Sequence, residues 1–208
     1  MKEYYLLTDR EREKRLREKL SKFPFIRLKA LNPVCIPSID STQDCLVKEL
    51  GSKNEGDFVV ANVQTKGRGR EGRNWYSDEG GLYLSITLVP NRSEIMDKIA
   101  PLITQVIRDN LEMDLHLEGC AIKAPNDVIC RGKKIAGVLI DSELKGDSAI
   151  AYVGIGVDLN NGENWTNEMR EIATSYSLET LKKVDLDNFI AGLLSRLDQL
   201  YDNLLRTS

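Results

Sequence analysis

Histidine is nearly absent from this chain of 208 residues, which contains one, and its four cysteines stand far apart. The cysteines form no C-x-x-C pair, whereas metal sites in proteins usually need closer spacing or more partners. We therefore predict no metal site built by the protein alone, and we assign no role to His116. We interpret the thiols as ordinary, partly buried side chains of a reducing compartment, and the sequence leaves a disulfide open.

A long apolar run is also missing, since no stretch approaches the roughly 18 residues of a membrane span. The first 22 residues alternate charge with leucine and lack the apolar core of a secretory signal. We therefore predict a cytoplasmic protein with no membrane contact. Neither charge sign is in excess, because 29 basic and 32 acidic side chains give a net charge of −3. Proteins that bind nucleic acid through its phosphates are usually basic, so we do not expect nucleic acid as a partner.

The chain contains enough apolar residues, 41%, to build one well-buried core. Alternation predicts strands, and helical spacing predicts helices. The predicted strands are 57–64, 82–89, 115–123, 127–130, 134–142 and 149–157, and the predicted helices are 9–22, 41–50, 95–111 and 185–205. Clustered strands with separate helices indicate an α+β fold: a mixed, mainly antiparallel sheet packed against helices on one face. We divide the chain into an N-terminal charged helix with an extended segment, residues 1–35, and one domain, residues 36–208. The charged helix is typical of a solvated appendage, and Asn32-Pro33 should interrupt the extended stretch that follows it.

Residues 64–75 read QTKGRGREGRNW and place four cations within eight residues: Lys66, Arg68, Arg70 and Arg73. The interleaved glycines let a backbone fold closely around a ligand, and guanidinium groups bind phosphate or carboxylate through paired hydrogen bonds. The glycines also satisfy G-x-G-x-x-G, but no helix begins there, which argues against a dinucleotide-binding fold. From this loop alone, an anion site and a solvated basic loop or weak RNA-binding patch remain open.

Two further segments favour the anion site. Lys123-Ala124-Pro125-Asn126-Asp127 lies between two predicted strands, so Lys123 should emerge at the edge of the sheet and approach the same anion. Gly154-Ile155-Gly156 ends a strand with small residues that would let a flat ligand lie close to it. Taken singly, each segment also fits an unspecialised surface lysine or a glycine-rich strand end.

Read in order, these pieces resemble the biotin–protein ligase family, over roughly residues 36–205. The matching elements are Ser41-Thr42 with an amide residue next, Gln64 with the Gly67–Trp75 loop, Leu82-Tyr83-Leu84-Ser85, Lys123-x-Pro125-Asn126-Asp127, Gly132–Leu139, Gly154-Ile155-Gly156 and Ala173-Thr174-Ser175. The resemblance implies a fold like that of class II synthetases, with residues 36–208 as the catalytic domain. It implies an enzyme that joins biotin to AMP at the expense of ATP and then transfers biotin to a lysine of a biotin carboxyl carrier protein. It also implies Mg²⁺ on the nucleotide phosphates and favours a homodimer.

The resemblance assigns site residues by position. Arg68 and Lys123 match the catalytic positions. The biotin-binding positions match Ser41, Thr42, Gln64, Gly67, Arg68, Gly69, Arg70, Lys123, Gly137 and Gly154. The nucleotide-binding positions match Arg68, Arg70, Arg73, Trp75, Asn126, Lys133 and Asn160, with Lys133 or Lys134 near the phosphates.

Several features depart from the family pattern. Gln43 stands where Asn is usual, Ala124 replaces a common Trp, and Asp158 replaces an Asn in a place where a carboxylate should repel a triphosphate. The sequence also lacks a match to the small C-terminal β-barrel and to the N-terminal winged helix of some members. These departures leave open an inactive or regulatory biotin-binding paralogue. A lipoate ligase or octanoyl transferase is the rival within the fold, although its Arg-Arg and Gly-Gly-Gly pocket strand is absent.

Overall fold

A mixed sheet of seven strands forms the centre of the protein in the computed structural model, which describes residues 8–90, 92–145 and 148–207. The strands are β1 (Asn32–Ile39), β2 (Asp57–Gln64), β3 (Leu82–Leu88), β4 (Cys120–Lys123), β5 (Asp127–Cys130), β6 (Lys133–Lys145) and β7 (Ser148–Val157). Their order across the sheet is β1-β2-β3-β7-β6-β5-β4. β1 and β2 run parallel, whereas every other neighbouring pair is antiparallel. The predicted mixed, mainly antiparallel sheet is confirmed.

Six helices accompany the sheet in the described part of the chain. They are α1 (Arg10–Leu20), α2 (Thr42–Asp44, continued by a wider turn over Cys45–Glu49), α3 (Met96–Asp109, continued likewise over Asn110–Asp114), α4 (Asn167–Ile172), α5 (Tyr176–Thr180) and α6 (Leu186–Thr207). The sequence did not predict the short helices α4 and α5. Strand β4 is also shorter than predicted, because residues 115–119 form no strand.

Alternation along the strands sorts side chains onto the two faces of the sheet. Phe58 and Val60 face the main core, which also contains residues of α1, α3 and α6, in agreement with the predicted helical face. Val59 and Ala61 face a smaller cluster on the other side, where Leu46 beyond α2 packs. Strand β3 is buried at all seven positions, so helices and loops cover both of its faces.

Helix α1 is part of the core, so the interpretation of it as a solvated appendage is wrong. Leu16 and Leu20 are buried in the main core, whereas most charged residues of the helix are exposed. Arg12 is also buried, because its Nε donates to Asp187 of α6 at 2.9 Å and its Nη1 donates to Asn62 of β2 at 2.5 Å. The first seven residues of the predicted segment 1–35 lie outside the described residues, and the division at residue 35 stays a prediction.

Helix α1 also covers the outer edge of β1. The Cys35 N–H donates to Glu13 at 3.1 Å, and the Cys35 carbonyl accepts from the Asp9 N–H at 2.7 Å. The carbonyl of Pro33 accepts from Arg17 at 3.3 Å. Pro33 was expected to interrupt the extended chain, but it lies inside β1, where an edge strand tolerates a residue without an N–H.

The hairpin between β5 and β6 turns through Arg131 and Gly132, whose φ angles are 49° and 86°. Two successive positive φ values are typical of the tight turns that match strand twist, and the predicted hairpin is confirmed. All four cysteines are buried and unpaired in disulfides. Within the described ranges, no helix is both long enough and apolar enough to cross a membrane.

Candidate active site

One cavity of about 580 Å³ opens over the face of the sheet that carries α2. Residues from the loop after β2, the turn between β4 and β5, and strands β3, β6 and β7 line it. The sequence-predicted site residues that line it are Ser41, Thr42, Gln64, Arg68, Gly69, Arg70, Arg73, Trp75, Lys123, Asn126, Gly137 and Gly154. Segments up to 113 residues apart in sequence, from Ser41 to Gly154, therefore meet at one place.

Uncharged polar groups form the inner end of the cavity. Ser41 accepts the Asp44 N–H at 3.4 Å and so caps helix α2 at the start of the predicted helix 41–50. The N–H and Oγ1 of Thr42 both donate to Gln64 Oε1, at 2.9 and 3.0 Å. Thr42 Oγ1 also lies 2.8 Å from the hydroxyl of Ser85, a fully buried residue of β3. Ser85 lines the cavity but was not among the predicted site residues, although its segment was part of the resemblance.

Gln43 extends this polar end towards β7. Its Nε2 donates to the Tyr152 carbonyl at 3.1 Å, and the side chain is buried. A Cβ on Gly154 would lie 2.2 Å from Gln43 Oε1, so only glycine leaves room for this side chain. The larger amide that stands in place of the usual Asn is thus accommodated by the strand glycine.

The arginine-glycine loop folds back on itself over the cavity. Gly69 N donates to the Arg73 carbonyl at 2.7 Å, and Trp75 N donates to the Gly67 carbonyl at 2.8 Å. Gly72 turns the loop with a φ of 73°, a conformation that favours glycine. Folded in this way, the loop holds three guanidinium groups along one side of the cavity.

Each of these guanidinium groups has an acceptor from the protein. Arg68 Nη1 lies 2.7 Å from Asp44 and 3.1 Å from Asp141 of β6. Arg70 Nη1 donates to Asn126 Oδ1 at 2.8 Å, which ties the loop to the turn after β4. Asp44 and Asp141 were not predicted, because carboxylates so distant in sequence give no local signal.

Lys123 ends β4 and lines the cavity. Its side chain is exposed, and no ion pair to it occurs among the residues that the structure describes. The neighbouring Asn126 donates to the Val138 carbonyl at 2.9 Å while it accepts from Arg70. The turn is therefore fixed to β6 on one side and to the loop on the other, and it presents an uncommitted ammonium group to the cavity.

Trp75 lies flat against the strand glycines. A Cβ on Gly137 or Gly156 would approach the Trp75 ring to 2.9 or 2.6 Å, so both positions must lack a side chain. Lys134 Nζ sits 5.0 Å from the ring centroid and 2.8 Å from Asp127. A cation over an aromatic face is stabilising, and here it keeps a positive charge inside the cavity.

Asp158 follows β7, lines the cavity and is only 4% exposed. Its pKa is raised to about 8, mainly by burial and to a smaller extent by the nearby Asp78, although a hydrogen bond from Asn161 and the charge of Lys134 act in the lowering direction. The Asn161 amide donates to Asp158 at 2.7 Å and to Asp78 at 3.1 Å. At neutral pH the Asp158 side chain is therefore mostly protonated, and the repulsion expected between it and a triphosphate is weak.

Three predicted residues do not line the cavity. Lys133 points away, because successive residues of a strand face opposite sides, and its Nζ donates to the Arg170 carbonyl at 2.5 Å. Asn160 exchanges hydrogen bonds of 2.8 Å with both the carbonyl and the N–H of Val184. Gly67 is packed beneath the loop, where a Cβ would meet the Trp75 carbonyl at 2.4 Å. Of the two candidate lysines near the phosphates, Lys134 is the one in the cavity.

Comparison with known proteins gives concordant results. A family model described as biotin/lipoate A/B protein ligase family matches residues 35–158. The bifunctional ligase/repressor BirA of Bacillus spizizenii is 32% identical over 169 residues, which is 78% of this chain and 51% of the relative. The human biotin–protein ligase is 30% identical over 158 residues, 70% of this chain and 21% of its own length. The chain thus spans about half the length, or less, of these curated relatives.

Solved structures agree with the sequence comparison. A biotin protein ligase from Aquifex aeolicus, in complex with biotin and ATP, superposes with a TM-score of 0.75 and 33% identity, over 85% of this chain and 73% of that one. One from Leishmania major, in complex with biotinyl-5-AMP, gives a TM-score of 0.63 and 27% identity, over 84% and 78% of the two chains.

Proposed function

Because the chain belongs to the biotin/lipoate A/B protein ligase family, we propose that it is an ATP-dependent biotin–protein ligase. It would first form biotinyl-adenylate and pyrophosphate from biotin and ATP. It would then transfer biotin to a lysine of a biotin carboxyl carrier protein. The observation that carries this proposal is that one cavity combines an uncharged polar end with cations from two separate segments.

The charge distribution suits the first step. A carboxylate oxygen of biotin attacks the α-phosphorus of ATP, the bond to the β-phosphate breaks, and pyrophosphate leaves. The two reactants are both anions, so fixed cations at their junction lower the barrier more than a titrating base would. Arg68 and Lys123 are the catalytic residues of this proposal because they are cations from two separate segments that line one cavity.

The remaining assignments follow the two ends of the cavity. Ser41, Thr42 and Gln64 supply uncharged donors and acceptors that suit the cyclic urea of biotin. Gly154 and Gly137 line the same cavity, where their missing side chains make room for Gln43 and Trp75. Arg70, Arg73, Trp75, Asn126 and Lys134 line the part that the nucleotide would occupy. In the second step, the amine of the acceptor lysine attacks the carbonyl of the mixed anhydride and AMP leaves.

Mg²⁺ is part of the proposal as a companion of ATP. In the described ranges, no group of three or more His, Cys, Asp or Glu could hold a metal ion. Of the cavity carboxyl groups, Asp127 is paired with Lys134, and burial keeps Asp158 mostly protonated. The residues present therefore fit an ion held mainly by phosphate oxygens and water, which is how Mg²⁺ usually binds with nucleotides. A cytoplasmic location stays a prediction from the sequence, and a homodimer stays a prediction from the resemblance.

Turnover of purified protein with biotin, ATP and Mg²⁺ tests the proposal. We expect pyrophosphate release and a biotinyl-adenylate detectable by mass spectrometry, followed by biotinylation of an added carrier domain. Titration calorimetry with biotin and with lipoate should show binding of biotin alone. Biotin binding without pyrophosphate release would indicate a regulatory binding protein instead, and preference for lipoate would contradict the proposal.

The substitution Arg68→Ala tests whether the loop retains the intermediate without contributing to the stability of the fold. We expect the variant to unfold at the wild-type temperature and to release biotinyl-adenylate at least about tenfold faster, because a hydrogen bond to a charged group contributes about 1.5–3 kcal/mol. Unchanged retention of the intermediate would remove Arg68 from the site.

A further inference from the structure

Arg68 is held at the cavity by two carboxylates that do not themselves line it. Asp44 Oδ1 and Asp141 Oδ2 both lie within 3.1 Å of the same nitrogen, Nη1. Asp44 comes from the last position of α2, and Asp141 comes from the middle of β6. Two elements of the rigid sheet face thus converge on one atom of the loop.

The rest of the guanidinium group remains available. A guanidinium has five N–H donors in a fixed plane, and here the carboxylates occupy Nη1 alone. Within the described residues, Nε and Nη2 of Arg68 meet no acceptor, while Arg68 itself lines the cavity. An anion in the cavity can therefore bind the free edge of the group without displacing either carboxylate.

We propose that Asp44 and Asp141 are positioning residues that hold Arg68, and with it the loop of residues 65–75, over the cavity before any ligand binds. The ligand in question, a carboxylate joined to a phosphate, rests on the function proposed above. Neither aspartate touches that ligand, and each acts through Arg68. Loss of both charges frees the loop, so the bound anion escapes faster.

The location of the two carboxylates supports a mechanical role. Ser41 fixes Asp44 by accepting its N–H, and the pairing of Asp141 with Tyr152 of β7 fixes the other carboxylate in the sheet. The three side chains are each 30 to 39% exposed, so the ion pairs are screened by salt. These two ion pairs, from Arg68 to Asp44 and to Asp141, are called the clamp below. The clamp should weaken as ionic strength rises.

Limited trypsin digestion of the ligand-free protein tests the clamp directly, since the loop contains cleavage sites at Lys66, Arg68, Arg70 and Arg73. Open loops are cut faster than held ones. In the double variant D44N/D141N we expect cleavage in the loop at least fivefold faster than in the wild type, with cleavage at Arg131 as the internal reference. In the wild type, 1 M NaCl should raise loop cleavage towards the rate of the double variant, which itself should change little.

Two variants serve as controls. Lys48→Gln removes the other ion pair of Asp44, whose Nζ–Oδ1 distance is 3.2 Å, and leaves the contact with Arg68. Asp141→Glu keeps the charge. The loop of both variants should be cut within twofold of the wild-type rate. Loop cleavage in either variant as fast as in the double variant would contradict the proposal.

The activated intermediate supplies the second measurement. Preformed biotinyl-adenylate should dissociate about fivefold faster from D44N/D141N than from the wild type. From D141E, which keeps both charges, it should dissociate at the slow wild-type rate. A folded double variant with wild-type loop cleavage, or with wild-type dissociation, overturns the proposal. If the wild type binds no biotinyl-adenylate, the proposed function fails, while the digestion still decides whether the carboxylates hold the loop.

Discussion

At the scale of single residues, Lys123 lines the cavity and forms no ion pair with the residues that the structure describes. Its side chain is exposed at the end of β4, so its removal should leave the core intact. We expect Lys123→Ala to lower the rate of pyrophosphate release by about 10²–10³, because a fixed cation is lost where two anions meet. The exposed Lys182, which does not line the cavity, gives a matched control, Lys182→Ala. Equal rates for the two variants would remove Lys123 from the mechanism.

Asp158 makes stability depend on pH. Its folded-state pKa of about 8 lies above the usual aspartate pKa of 3.8, so between these values the folded state binds more protons than the unfolded state. Stability therefore falls as pH rises through this window. Its neighbours Asp78 and Tyr83 add no positive charge, and Lys134 supplies the one cation that lowers this pKa.

The substitution Asp158→Asn should remove that pH dependence. One pKa unit corresponds to about 1.4 kcal/mol, so we expect the variant to gain about 1–3 kcal/mol relative to the wild type between pH 5 and pH 8. Urea unfolding of both proteins at the two pH values measures the difference. If the difference in stability between the wild type and the variant is the same at pH 5 and pH 8, Asp158 is ionised at both.

At this scale, residue types in a short segment predicted site residues correctly, but the sequence did not show in which direction a strand side chain points. The arginine loop and Lys123 carry recognisable residue types, and the structure brings them together. Lys133 and Lys134 are adjacent and chemically alike, so only the register of β6 decides which one faces the cavity. Ser85 and Asp141 were missed because each becomes informative only through partners distant in sequence.

At the scale of elements, the loop after β2 depends on close backbone packing at Gly67. A Cβ there would meet the Trp75 carbonyl at 2.4 Å and the Ser77 hydroxyl at 2.6 Å. We expect Gly67→Ala to displace the loop and to weaken retention of biotinyl-adenylate roughly tenfold, with little change in unfolding temperature, because loops contribute little to the core.

Gly192→Ala in α6 is a control of equal size, since its nearest contact would be an adjustable side chain at 3.4 Å. It should retain the intermediate as the wild type does. Wild-type retention by Gly67→Ala would mean that the loop tolerates the displacement.

The elements themselves were predictable in proportion to their length and periodicity. Strand β2 has the predicted bounds, and the long helix α6 differs by one or two residues at its ends. The helices α4 and α5, of six and five residues, have no repeated apolar spacing, so periodicity alone could not reveal them. Their local signal is the N-cap, where Thr166 accepts from the Met169 N–H and Ser175 from the Leu178 N–H.

At the scale of the whole molecule, α1 belongs to the same core as the catalytic sheet. Leu16 is completely buried among residues that include side chains of α6. We expect Leu16→Ala to lower the free energy of unfolding by about 2–4 kcal/mol, as truncation of a buried leucine usually does. Urea denaturation should show one transition for the wild type and for the variant.

Lys14→Ala, on the exposed side of the same helix, should change that free energy by less than about 0.5 kcal/mol. A separate early transition, or equal stability of the Leu16 and Lys14 variants, would contradict the placement of α1 in the main core. Sequence patterning could not separate the two cases, because a highly charged helix with a narrow apolar stripe fits both.

The covered edge of β1 has a consequence for assembly. Pro33 and Pro37 have no N–H, and α1 already binds the Cys35 N–H and the carbonyls of Pro33 and Cys35, so these positions offer nothing to an incoming strand. At the opposite border, β4 pairs with β5 on one side and with no other named strand, and three of its four side chains are exposed. A sheet that can grow from one border only can join a second copy as a closed, two-fold pair, but it cannot propagate into a fibre.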